Sequence, residues 1–408
     1  MATEAGKADG GSKLFGPEMV PDPYPVYHRL RAAHPVFWVT HLDAWVVTSF
    51  EAVSAGLRNP QLSSDRFGRI KQRLAAKGLD LLVDERVVSM LHKDPPDHSR
   101  LRGLVNKAFT PRAVEAMEGH IQGIVDGLLD AVKSRGRMDV IEDLAYPLPV
   151  TVVAEMLGVP TEDRDRFKKW SDEISVVLGG DVTVLPEAVL RRVLEARNEL
   201  ADYFRVVVAQ RREKPGHDLL TALVQAEEDG GRLTEDELYS TAILLLIAGN
   251  ETTTNLIGNG LLALLRHPDQ MRRVWDDASL VPSAVEEILR YDSPVQLTSR
   301  LAKVDLEMHG TKISRGQWVY LLLAAANRDP AQFSDPDRFD VGRAENKHIA
   351  FGAGPHFCME APLARLEAKV VLHTLRRRFP AGLRLGTENP EYRNNFNLRG
   401  LKSLSVVF

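Results

Sequence analysis

From Thr234 to Arg266 apolar side chains recur at three- and four-residue spacing, and from Ile243 to Leu265 the stretch is largely apolar. A helix of that kind has to be buried by other elements, so this chain is committed to a packed helical core. Thr234 followed three residues later by Glu237 is a capping-box pattern, which marks the start of the helix. The same spacing runs through Pro111 to Lys133, Leu185 to Lys214, Pro282 to Tyr291 and Ala361 to Arg378, with Thr110 before Pro111 as a further start signal. Strand signals are fewer. Val36 to Val39 and Trp45 to Thr48 flank the turn-like His41-Leu42-Asp43-Ala44 and predict a hairpin. Val304 to Met308 and Lys312 to Ile313 flank His309-Gly310 and predict a second, with Gln317 to Leu322 a following strand. The expected fold class is mainly α with a small β portion.

The chain has 408 residues, enough for a large core, and contains no repeat and no internal Pro/Gly/Ser-rich linker. The polar, Gly/Ala-rich residues 1–13 read as a disordered tail, and residues 14–408 as a single domain. A net charge of −4 and a pI near 6.3 leave no electrostatic footprint for nucleic acid. The longest apolar runs, Ala242 to Gly249 and Trp318 to Ala326, are too short to span a bilayer, and no charged-then-apolar leader precedes Leu14. One cysteine permits no internal disulfide, which suits a reducing compartment. The expectation is a soluble cytoplasmic protein, monomeric by default.

The long helix is interrupted by Ala248-Gly249-Asn250-Glu251-Thr252-Thr253. Polar side chains inside a buried helix cost free energy unless something satisfies them, and Gly249 weakens the helix by roughly 1 kcal/mol relative to alanine. Small residues followed by an acid and a hydroxyl could open a groove and line it with proton donors. A polar interface would use the same residues.

Cys358 closes the run Phe351-Gly352-Ala353-Gly354-Pro355-His356-Phe357-Cys358, directly before the Ala361 to Arg378 helix. A lone cysteine is usually a small buried hydrophobe. Here two glycines let the backbone approach a flat ligand, and a helix N-terminus favours a thiolate. The run reads as an anionic sulfur ligand for an electron-poor metal.

This loop resembles the haem-binding loop of the cytochrome P450 family, and the resemblance extends in order from Pro21-Asp22-Pro23-Tyr24 to Arg399-Gly400-Leu401-Lys402-Ser403-Leu404. It implies an α-rich domain with a β-rich side lobe, and haem b buried between a distal long helix and the proximal cysteine-loop helix. Cys358 would be the axial iron ligand, Glu251 and Thr252 the catalytic acid and hydroxyl. His98 and Arg102, four apart on one helix face, would bind the haem carboxylates together with Arg300 and His356. Glu287 and Arg290, three apart, would lock to Arg343 as a structural core; Val341 stands where a proline is often found. Leu244, Leu245, Ala248, Val295, Leu297 and Phe396 are the candidate substrate pocket, with Gln296 beside them, and Arg66 to Leu91 and Asp172 to Leu190 the candidate lids. Arg100, Lys107, Arg112, Lys347 and Arg365 would suit docking of an acidic electron donor. One residue departs from the pattern. Glu360 stands where the family has glycine or another small residue, and a carboxylate there would set negative charge near the sulfur and make the iron harder to reduce.

The function implied is a monooxygenase that activates O2 with two electrons from a ferredoxin and an NAD(P)H-dependent ferredoxin reductase. It would hydroxylate or epoxidise a small, largely hydrophobic substrate, with natural-product metabolism as one setting. Two alternatives keep the haem: a peroxide-driven peroxygenase, and a non-catalytic haem carrier. The intact acid–threonine pair argues for the oxygen route.

Overall fold

The computed structural model describes residues 14–79, 88–177, 185–228 and 233–408. The tail expected over residues 1–13, and residues 80–87 and 178–184 of the two expected lids, lie outside them.

The long helix spans Glu235–Arg266. Thr234 Oγ1 accepts from the Glu237 N–H at 3.2 Å, and Glu237 Oε2 accepts from the Thr234 N–H at 3.0 Å, so the capping box is reciprocal. Glu235, Asp236 and Glu237 in the first turn and Arg266 in the last complement the helix dipole. Pro147–Leu157, Arg164–Ser175, Val281–Tyr291 and Ala361–Arg378 pack around it. Leu245, Leu246, Leu256 and Leu261 are at most 2% exposed, and each contributes about 1.5–3 kcal/mol of apolar burial.

Proline placement explains one polar residue directly after the interruption. Pro149 has no N–H to give Ala145 O four residues back, and Thr254 Oγ1 of the long helix donates to that carbonyl at 3.1 Å.

Pro111 to Lys133 is two helices, Pro111–Glu115 and Glu118–Lys133, rather than one. Thr110 caps the first by accepting from the Ala113 N–H. The ladder then tightens at Ala116, whose N–H is shared between Arg112 O and Val114 O, and the second helix starts at Glu118.

Five strands form a mixed sheet in the spatial order Val36–Val39, Ala44–Val47, Trp318–Leu321, Thr298–Ala302 and Leu62–Ser63. Only the Ala44–Val47 and Trp318–Leu321 pair is parallel. The central Trp318–Leu321 strand is buried on both faces, between two apolar clusters. The second expected hairpin, Leu306–Met308 with Thr311–Ile313, turns on His309 at φ 47° and Gly310 at φ 73°, the left-handed pair that a tight hairpin needs. The mainly α architecture with a small β portion stands.

Candidate active site

A cavity of about 270 Å³ lies between the long helix and the cysteine loop. Leu244, Leu245, Ala248 and Thr252 line it from the long helix, and Phe351, Gly352, His356 and Cys358 from the loop. The loop is held by the Cys358 N–H donating to Phe351 O at 2.9 Å. Gly352 and Gly354, both at φ 71°, make the turn possible. A side chain at Gly354 would also meet Leu57 O at 2.8 Å, so only glycine fits there.

At one end of the cavity the cations gather. His98, Arg102, Arg300 and His356, which come from three separate parts of the chain, all line it. The rings of His98 and His356 stack at 4.0 Å. Burial first and Arg102 second hold the His98 pKa below its ordinary value, although Asp94 opposes. Burial, then His98, Arg300 and Arg66, push His356 down to about 3. Arg300 is pushed down to about 9 by burial and by Arg66. Asp94 is nearby but already accepts from Lys303 at 2.7 Å, from Ser63 Oγ at 2.6 Å and from the Ser64 N–H at 2.9 Å. The buried His98 Nδ1 has no partner among the described residues. Two guanidinium groups and two imidazole donors, one with an orphaned ring nitrogen, fit a ligand that brings carboxylates. An iron porphyrin with two propionates has that chemistry, and the sulfur of Cys358 faces the same cavity.

The thiol itself departs from expectation. The Glu360 and Ala361 N–H groups and Arg102 lower its pKa, as a helix start should. Burial first and Glu360 second outweigh them and push Cys358 up to about 12. A bound metal cation reverses that order, because a coordinating thiol is deprotonated outright.

Glu360 corrects a second expectation. Its side chain is buried, and burial pushes its pKa up to about 8, so near neutrality most of it is the uncharged acid. It is therefore not a standing negative charge beside the sulfur. Its carboxyl occupies the place a side chain at Gly249 would need: a methyl group there would lie 2.6 Å from Glu360 Oε2. Glu367, seven positions on and equally buried, has its pKa raised well above the ordinary value by burial and by Glu360, and its Oε2 has no partner among the described residues.

On the long helix, Thr252 Oγ1 donates to Ala248 O at 2.8 Å beside the cavity. Glu251 lies behind it. Its carboxylate accepts from Arg393 Nη1 at 3.0 and 3.1 Å, and the same nitrogen reaches Asp172 Oδ1 at 3.1 Å. Burial raises the Glu251 pKa, while Arg393 opposes. Glu287 accepts from Arg290 twice at 2.8 Å and from Arg343 Nε at 3.1 Å, with Glu287 and Arg290 fully buried.

Leu244, Leu245, Ala248, Val295 and Leu297 line the cavity, but Phe396 does not. Its ring packs against Phe15 at 4.6 Å and Tyr27 at 6.4 Å, because the late turn points it into the cluster around the N-terminal helix Tyr24–Ala33. Gln296 is buried there too, accepting from Tyr27 at 3.0 Å and donating to Ser293 O at 2.7 Å. Of the five basic residues proposed to flank the loop, Arg100 is paired with Glu237 and Arg365 with Glu286. Lys107, Arg112 and Lys347 are exposed. Arg66, Arg393 and Asp172 escaped the sequence reading. No local spacing marks them, since their partners are distant along the chain.

The chain matches the cytochrome P450 family profile over residues 65–402. Among curated relatives, 6-deoxyerythronolide B hydroxylase of Saccharopolyspora erythraea is 42% identical over 395 residues, 94% of this chain and 96% of that one. The biotin biosynthesis cytochrome P450 of Bacillus subtilis is 40% identical over 402 residues, 97% of this chain and 99% of that one. Among solved structures, P450BioI in complex with an acyl carrier protein ligated to hexadec-9Z-enoic acid superposes with a TM-score of 0.88 at 38% identity, covering 96% of this chain and all of that one. No helix among the described residues is long and apolar enough to cross a membrane. With a cysteine loop and a carboxylate-seeking cation cluster sharing one cavity under an interrupted helix, and with relatives matched along nearly the full length, the chain belongs to the cytochrome P450 monooxygenase family.

Proposed function

We propose that this protein binds haem b, takes two electrons singly from a ferredoxin served by an NAD(P)H-dependent reductase, and places one atom of O2 on a small, largely hydrophobic substrate. The observation that carries the reading is the shared cavity of Cys358, the two arginines, the two histidines and Thr252. When bound, the haem supplies oxygen activation, and a thiolate ligand favours O–O cleavage. Cys358 would ligate the iron. His98, Arg102, Arg300 and His356 would hold the propionates. Thr252 presents its hydroxyl at the cavity wall, and Glu251, bracketed by Arg393, would replenish its proton. Glu287, Arg290 and Arg343 act structurally.

The substrate side of the cavity is Leu244, Leu245, Ala248, Val295, Leu297 and Leu398. These apolar walls favour a hydrocarbon skeleton, and relatives named for polyketide and biotin biosynthesis support a biosynthetic setting. Lys107, Arg112, Lys347 and the 40% exposed Phe357 support docking of the acidic electron donor near the loop. We place the protein in the cytoplasm as a monomer, with residues 14–408 acting as one domain.

The reduced protein should give the red-shifted carbon monoxide band of thiolate ligation, and Cys358→Ser should lose it; a wild-type band at the position of histidine ligation refutes the reading. Turnover with ferredoxin, reductase and NAD(P)H, compared with peroxide alone, separates monooxygenase from peroxygenase. Thr252→Ala should keep consuming electrons with less product, and fully coupled turnover would remove its role.

A further inference from the structure

Residues 14–20 do not line the cavity, yet they are tied to one of its walls. Leu14, Met19 and Val20 are each 3% exposed. Phe15 lies between them at φ 69°, a left-handed conformation that a bulky residue keeps only where its surroundings impose it. Its N–H donates to Met19 Sδ at 3.3 Å, and its ring meets Phe396 at 4.6 Å and Tyr320 at 6.0 Å. Arg399 adds a second tie from the same late segment, with Nε donating to Val20 O at 2.7 Å and Nη2 to Pro21 O at 2.8 Å.

What these contacts hold is the wall. Asn397 and Leu398, directly after Phe396, line the cavity together with Val295 and Leu297. The two wall segments are stitched to each other. The Gln296 N–H donates to Asn397 O at 2.9 Å, the Leu297 N–H donates to Asn397 Oδ1 at 3.3 Å, and Val295 forms an antiparallel bridge with Leu398. Tyr27 closes the circuit, since its ring lies 6.4 Å from Phe396 and its hydroxyl donates to Gln296 Oε1 at 3.0 Å. Phe396 therefore carries the contact from residues 14–20 to the back of the wall.

We propose that Phe15 is a positioning residue for substrate specificity: through Phe396 it holds the wall of Val295, Leu297 and Leu398 in place before a long apolar substrate arrives. The proposal rests on the haem reading and on this cavity as the substrate site. A wall that is already ordered costs nothing to order on binding, and the apolar contact it offers grows with the hydrocarbon laid against it. A small ligand held only at the iron gains nothing from it. By linkage, a ligand that uses the wall must in turn steady residues 14–20.

The test uses the holoprotein with two probes that bind through the same ring nitrogen, imidazole and N-dodecylimidazole, followed by the spectral shift of iron ligation. Imidazole should bind F15A as it binds the wild type. N-dodecylimidazole should bind F15A roughly five-fold or more weaker, which is about 1 kcal/mol, and F15L should recover part of the loss. An unchanged ratio between the two probes overturns the proposal, as does an equal loss for both, which would be general destabilisation. Hydrogen exchange on the wild type gives an arm that needs no variant to fold. N-dodecylimidazole should slow exchange in residues 14–20 as well as 394–398, and imidazole should slow neither; protection confined to 394–398 overturns the brace. A wild type in which imidazole gives no ligation shift overturns the haem reading and the proposal with it, and that failure is seen before any variant is compared.

Discussion

Replacing Glu287 with glutamine should cost this protein a large part of its stability. The carboxylate is fully buried and accepts from Arg290 Nε and Nη2 at 2.8 Å, from Arg343 Nε at 3.1 and 3.3 Å, from Asn346 Nδ2 at 3.1 Å and from the Asp340 N–H at 2.9 Å. Arg290 and Arg343 spend their remaining donors on the carbonyls of Asn327, Ser334, Asp335, Pro336 and Arg338, so neither can swing out to water without breaking the segment that leads to the cysteine loop. An amide at 287 removes the carboxylate that pairs with the buried Arg290 and the largely buried Arg343, and points an NH2 at one of them. Breaking one buried pair in this way costs about 3–5 kcal/mol. With two arginines stranded the upper end applies, against a total stability of about 5–15 kcal/mol. Urea unfolding followed by far-UV circular dichroism reads the change, and the thiolate carbon monoxide band reads whether the loop still holds its shape. Glu286→Gln is the control: it removes a half-exposed pair with Arg365 and should cost less. If Glu287→Gln loses under about 1 kcal/mol at unchanged m-value, the stranded-charge reasoning is wrong.

Three further outcomes are expected. Gly249→Ala should fail to deliver the roughly 1 kcal/mol that alanine gains over glycine inside a helix, because of the contact with Glu360 Oε2, and Glu360→Gly should restore that gain; a double-mutant cycle additive within about 0.3 kcal/mol would mean the two do not collide. Glu286 is held down to about 2 because, although burial opposes, hydrogen bonds from Arg365 and His348 prevail. Its folded pKa lies below the ordinary 4.5, so the stabilisation, about 3 kcal/mol, is complete above pH 4.5 and disappears as pH falls toward 2; acid unfolding of Arg365→Met should lack that part of the slope. Arg393→Met should raise the Glu251 pKa further above its ordinary value. The variant's deficit should then grow as pH rises above 4.5, since a raised carboxyl loses stability as pH rises from its unfolded to its folded pKa. A deficit in melting temperature that is flat with pH would show that Glu251 does not feel the arginine.

What the sequence made legible is local. The capping box at Thr234, the left-handed His309-Gly310 turn and the Glu287–Arg290 spacing each depend on residues a few positions apart, and each is present. The misreadings share a different cause. Phe396 belongs to the N-terminal aromatic cluster because of packing with Phe15 and Tyr27, contacts across most of the chain. The charge on Glu360 depends on burial against Gly249, which a one-dimensional pattern does not carry. Arg66 with Ser299, and Arg393 with Glu251, are 233 and 142 positions apart. The break at Ala116 is another case, since helical spacing runs through it unaltered and no residue from Ala113 to Glu118 is a proline or glycine that would mark it.

Arg102 lines the cavity where carboxylates fit, and its Nη1 also donates to Pro355 O at 2.9 Å, three residues before the sulfur. On the haem reading, one side chain would have two duties, gripping the cofactor's carboxylates and holding the backbone that presents Cys358. Capture of the cofactor and presentation of the cysteine would then be coupled, because a shift of Arg102 toward either partner would loosen its hold on the other.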